Sequence, residues 1–206
     1  MELLLTAVDD AGYAPGDEVA LAIDVAATHF HRDGRYVIDS LGRTLTADGM
    51  VDLVADWVEA YPIVSIEDPL AEDDWGAWAR LTDRMGPDVQ VLGDDLLVTD
   101  VDRVERAMDA AAANAVLVKP NQAGTLTRAI EVVERARAAG WATVVSARSG
   151  ETCDATIADL AVALDAGQIK IGSLARSERL AKYNRLLEIA REHDRFAGAD
   201  ALGRGG

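Results

Sequence analysis

The chain has 206 residues, half of them apolar, a single cysteine and a formal net charge of −16. That length supports one domain with a sizeable core. Acids spread along the whole chain argue against nucleic acid and anionic membranes as partners, and are compatible with divalent cations. One cysteine excludes an internal disulfide and fits a reducing, cytoplasmic setting. No stretch approaches a membrane span, and the opening "MELLLTAVDDAGY" lacks the basic start of a signal peptide.

Residues 2–11 read as a helix end leading into a first strand at 18–26, "EVALAIDVA". The "HFH" at 29–31 puts two histidines on one side of an extended stretch without a third partner, and reads as loop. Met50, Leu53, Val54, Trp57 and Val58 follow a helical stripe ended by Pro62. A strand at 62–68 precedes the stripe Trp75, Trp78, Leu81 and Met85. A strand at 89–95 precedes Val101, Val104, Met108 and Ala111, and a strand at 114–120 precedes Leu126, Ile130 and Val133. A strand at 142–148 precedes Ile157, Leu160, Ala161 and Leu164. The last strand, 167–173, precedes Leu180, Tyr183, Leu187 and Ala190. These stripes read as core faces, the tryptophans in them as packing, and Cys153 as a small packed residue in a helix-like stretch. Residues 199–206, the end of "GADALGRGG", read as a flexible tail.

Near-continuous apolar, β-branched runs fit strands buried on both faces of a parallel sheet. Six βα units follow one another without a linker or repeat, which suggests a doubly wound sheet or a (β/α) barrel. A complete barrel takes eight units and about 250 residues. The expected fold is therefore α/β, a partial TIM-type barrel over 1–198.

The apolar runs end in Asp24, Glu67, Asp94 (with Asp95), Lys119, Ser146-Ala147-Arg148-Ser149, and Lys170. In parallel βα folds, active sites lie at these carboxyl ends. Three carboxylates from adjacent strands suit a hard cation such as Mg²⁺; a zinc site is disfavoured, since no His/Cys cluster is present. "SARSGET" has the character of an anion site: Arg148 can bind phosphate or carboxylate oxygens bidentately, and Ser149 and the amides around Gly150 precede a helix. Asp95 reads as a cap or an ion-pair partner. Only three of the twenty basic residues are lysines, Lys119, Lys170 and Lys182, and two of these end apolar runs. Arginine stays protonated, whereas a buried lysine can lose its proton, so Lys119 is a candidate catalytic amine.

"ALAIDVAATHF", "YPIVSIEDPLAEDDWGAW", "VLGDDLLVT", "NAVLVKPNQAGTLT", "VVSARSGET", "GQIKIGS" and "RSERLAKYNRLLEI" together resemble the C-terminal barrel of enolase over nearly the whole chain. The resemblance implies that Asp24, Glu67 and Asp94 hold Mg²⁺. It also implies that Lys119 removes the carbon proton, that Lys170 binds the substrate carboxylate beside Glu67 and Asp94, and that Arg148 and Ser149 bind the phosphate. The implied reaction is the reversible dehydration of 2-phospho-D-glycerate to phosphoenolpyruvate. Removing a proton beside a carboxylate builds a doubly charged intermediate, which cations must stabilise.

Two departures shape the expectation. The family's small N-terminal domain and first two barrel strands have no counterpart here, nor do the mobile serine loop and the glutamates on the acid side of the reaction. Where the family reads Ser-His-Arg-Ser-Gly-Glu, this chain has Ala147 in place of histidine. Three readings follow: an enolase or its C-terminal part, a specialised homologue for a bulkier phosphonate-bearing glycerate, or an inactive fragment or binding subunit. A homo-oligomer, or a complementing N-terminal enolase-like chain, is the expected protein partner.

Overall fold

A computed structural model describes residues 1–193 and 195–202. Its strands are β1 (Leu21–Asp24), β2 (His31–Arg32), β3 (Arg35–Ile38), β4 (Arg43–Leu45), β5 (Ile63–Glu67), β6 (Gln90–Gly93), β7 (Ala115–Val118), β8 (Ala142–Ser146) and β9 (Gly167–Lys170). Its α-helices are α1 (Glu2–Asp10), α2 (Ala47–Ala60), α3 (Trp75–Met85), α4 (Val101–Asp109), α5 (Pro120–Ala123), α6 (Leu126–Ala138), α7 (Thr156–Ala163) and α8 (Ser177–Ala190). Strands β1, β5, β6, β7, β8 and β9 pair in that order, all parallel. All six expected strands are present, each trimmed by the turn that carries it away from the ladder. None of the helices is long and apolar enough to cross a membrane among the described residues.

Helix starts are written locally. Thr46, Asp74, Asp100 and Thr125 each accept the backbone N–H three residues on, which satisfies one orphan donor of α2, α3, α4 and α6. The helices then cover the outer face of the sheet. Period-2 alternation sends Ile66, Val91, Val116 and Val118 outward, where they pack with Met50, Val54, Trp78, Leu81, Val132 and Val133 in the main core. The opposite parity lines the concave side with Leu92, Ala115, Leu117, Ala142 and Val144, a separate small core. Beside it Gln90 and Gln168 exchange hydrogen bonds at 2.7 and 3.2 Å. These residues stand on β6 and β9, with two strands between them, so the sheet is strongly curled: a half-barrel.

Three expectations need correction. The segment around "HFH" is no plain loop: β2, β3 and β4 form an antiparallel ribbon, preceded by a 3-10 turn at Ala27–Phe30. Asp33 and Gly34 make its tight turn, with φ of +50° and +72°. The α8 stripe is not a core face. Its packed side carries Arg185 against α7 and Lys182 against the loop before it, and Leu187 is 63% exposed. Cys153 is exposed and lies outside any helix. Of the expected tail, residues 199–202 belong to a 3-10 turn, Gly198–Leu202, whose Ala201 carbonyl accepts from Gln168 at 2.7 Å. Residues 203–206 lie outside the described residues.

Candidate active site

Alternation that points Leu92, Leu117 and Gln168 inward also points inward the residues two positions later: Asp94, Lys119 and Lys170. Asp24 and Glu67 stand opposite each other in the β1–β5 register. All five therefore meet at one mouth. Lys170 Nζ donates to Asp24 Oδ2 at 2.8 Å and to Glu67 Oε1 and Oε2 at 2.8 and 2.7 Å. Because β9 and β1 are opposite edges of the sheet, this one ammonium joins the two rims of the half-barrel. Lys119 Nζ donates to Asp94 Oδ2 at 2.5 Å.

Depth separates the roles these groups can play. Glu67 is almost fully buried, and burial pushes its carboxyl up to about 7 against the opposing pull of the Lys170 ammonium. Burial pulls the other way on Lys170, but its hydrogen bonds to Asp24 and Glu67 outweigh it and hold the amine protonated above its usual range. Lys170 is thus a fixed positive charge at the mouth. Burial disfavours the charged form of Glu67 unless a cation faces it, and here the Lys170 ammonium does.

Several residues that sequence reasoning missed hold this site in place. Asp68 accepts the amides of Asp94 and Asp95 at 2.9 and 2.8 Å, and so fixes the turn that presents Asp94. Burial pushes its own carboxyl up to about 7, and the two backbone bonds oppose that. Thr99 accepts the Lys119 amide at 2.9 Å and lies 3.0 Å from Gln122 Oε1. Val98 and Thr99 both take left-handed φ, +43° and +51°, which is costly for β-branched residues. No sequence pattern announces that strain. Asp68 was legible in principle as the second acid of "IEDP".

The donor set fits a hard divalent cation. It contains only carboxylate oxygens, and Asp94 Oδ1 is buried without a hydrogen-bond partner among the described residues, an acceptor a cation would satisfy. The most compact acidic group is Asp68, Asp94 and Asp95, whose carboxylate oxygens lie within 4.8 Å of one another. Asp68 already spends both oxygens on backbone amides. Asp95 caps no described helix, and its side chain belongs to this acidic cluster. Asp24 and Glu67 are drawn together by Lys170 instead.

The anion loop follows β8. Ala147 donates its amide to the Lys170 carbonyl at 2.9 Å, and Arg148 donates its amide to Glu151 Oε1 at 3.0 Å. Gly150 takes φ +87°. Arg148 and Ser149 are exposed on the same end of the sheet as the carboxylates and amines. The helix that follows the loop starts at Thr156, as its apolar stripe from Ile157 predicts, so its terminus does not reach Ser149.

The chain matches the family model described as enolase, C-terminal TIM barrel domain, over residues 1–203. A curled sheet of parallel strands with alternating helices is what that description leads one to expect. This chain belongs to the enolase family, as its C-terminal barrel domain.

Proposed function

We propose that this domain carries enolase-type lyase chemistry: the reversible dehydration of 2-phospho-D-glycerate to phosphoenolpyruvate. The observation that carries the reading is the meeting of two amines and three carboxylates, from five strands, at the carboxyl end of the half-barrel. Lys119 takes the proton from the carbon beside the carboxylate. The electron pair moves into the carboxylate and then returns to form the carbon–carbon double bond as the hydroxyl on the next carbon leaves, taking a proton from solvent to depart as water. Lys170, held protonated, faces the charge that builds up. Arg148 and Ser149 bind the phosphate. Asp24, Glu67 and Asp94 would hold Mg²⁺, which supplies further positive charge to the same carboxylate when bound.

The test is to incubate the chain with Mg²⁺ and 2-phosphoglycerate in heavy water, and to follow deuterium entry beside the carboxylate and phosphoenolpyruvate formation. A positioned base contributes about 10²–10⁴-fold, so Lys119→Met should slow exchange by that factor. Equal exchange in the variant removes Lys119 from the role. An inert wild-type chain that still binds the substrate favours the binding-subunit reading.

A further inference from the structure

Lys182 is fully buried on α8, away from the five residues of the mouth. A buried ammonium is costly unless every donor is used. Here two donors make hydrogen bonds, to the Thr152 carbonyl at 2.8 Å and the Glu178 carbonyl at 2.8 Å, and the charge itself is paired with Glu151 Oε2 at 3.2 Å. The Glu178 bond is internal to α8. The other two reach into the loop between β8 and α7. Glu151 continues the chain of contacts, because its second oxygen accepts the Arg148 amide. So Lys182, Glu151 and the Arg148 backbone form one connected path, from a rigid helix to the residue expected to meet the anion.

We infer that Lys182, acting through Glu151, is the positioning residue that holds the 147–152 loop in the shape in which Arg148 and Ser149 meet an anionic group. This rests on the reading of that loop as the phosphate subsite. The loop has no regular secondary structure between Ser146 and Thr156 and includes a left-handed glycine, so its shape must be imposed from outside. A lysine suits the task in a chain that otherwise prefers arginine. Its compact ammonium meets two carbonyls and a carboxylate around one point, which a planar guanidinium fork would not match. The same helix steadies the next loop: Tyr183 donates to the Gly172 carbonyl at 2.5 Å, and Arg179 donates to Ser173 Oγ at 3.0 Å.

The experiment titrates inorganic phosphate into the full chain by calorimetry and maps amide hydrogen exchange, for wild type, Arg148→Ala, Lys182→Met and Glu151→Ala. Arg148→Ala should abolish phosphate binding. Lys182→Met and Glu151→Ala should each weaken it by about tenfold, because the loop must then be ordered on binding. Exchange should quicken across 147–152 and stay unchanged in β5 to β8. If wild type binds no phosphate, or Arg148→Ala binds as wild type does, the subsite reading fails and the inference falls with it. If Arg148 is required but Glu151→Ala keeps wild-type affinity, the inference alone is overturned. That variant leaves the buried lysine in place and decides the matter even if Lys182→Met does not fold. Loosening that spreads into the central strands points to a general structural role and also overturns it.

Discussion

Tyr36 is fully buried in the ribbon, yet its hydroxyl accepts the Ala71 amide at 3.0 Å and donates to Asp74 Oδ2 at 3.2 Å. It thereby pins the segment after Glu67 and Asp68 to the ribbon. Burial above all, with help from Asp74, pushes the phenol up to about 12, and the Ala71 bond opposes this. The unfolded chain releases that proton near its ordinary value of about 10. Between these two values the unfolded state holds fewer protons than the folded one, so stability present below pH 10 drains away as pH rises to about 12. Tyr36→Phe should cost about 1–3 kcal/mol at neutral pH by orphaning the Ala71 amide, and should flatten that alkaline decline. Urea unfolding across the range reads both effects, and an unchanged alkaline slope contradicts the assignment. Ala147 poses the other residue-scale question. Its amide is tied to the Lys170 carbonyl, so it sits at the edge of the candidate site. If a family imidazole is simply missing there, Ala147→His should raise 2-phosphoglycerate turnover by up to about 10²–10³-fold. If alanine makes room for a bulkier phosphorus group, the same change should block the enlarged analogue instead. Steady-state rates with both substrates separate the two, and no effect on either makes the position neutral.

At the scale of elements, the parallel strands were legible because buried strands read as unbroken apolar runs, and the acids and lysines that close those runs fall at the mouth by strand periodicity alone. The ribbon was missed although "RDGRY" carries its signal: Asp-Gly, both at positive φ, is the residue pair a two-residue hairpin selects. The α8 stripe misled because periodicity shows that one face is apolar without saying what covers it. Here an ion pair of Arg185 with Asp159 and the buried Lys182 set the packed face. The turn after β6 was illegible for another reason. Its left-handed Thr99 is held by tertiary contacts, a hydrogen bond to the Leu117 carbonyl and one from the Lys119 amide, and the turn also folds tightly back on Gly93. A Cβ on Gly93 would lie 2.7 Å from Leu97 Cγ. Gly93→Ala should therefore cost about 1–3 kcal/mol by overpacking, and should disturb the neighbouring Asp94. Gly34→Ala has open space around it and only the left-handed backbone against it, a cost of about 1–2 kcal/mol with the site intact. Thermal unfolding paired with Mg²⁺ titration distinguishes the two. Equal Mg²⁺ affinity in both variants sinks the coupling between Gly93 and the site.

For the whole molecule, the half-barrel leaves consequences that no single residue carries. Among the described residues β1 and β9 each have a paired strand on one side only, and the inward-facing Ala22 and Asp24 of β1 are exposed. Helix α1 buries none of its residues, and Leu3 is 81% exposed. Leu174 and Phe196 add further apolar surface, at 75% and 91%. Unpaired strand edges beside exposed leucines favour pairing with another copy or another chain. A net charge of −16 per copy opposes this through repulsion, and salt screens that repulsion over about 8 Å at physiological ionic strength. The balance predicts an association that strengthens with salt, the reverse of one held by surface ion pairs. Light scattering of the purified chain from low to high salt should show the mean mass rising, with a broad thermal transition at low concentration that sharpens as copies associate. A monodisperse monomer at all salt concentrations, melting in one sharp concentration-independent step, would show that the curled sheet is self-sufficient and that the contact of Lys170 with Asp24 and Glu67 across the two rims closes it well enough.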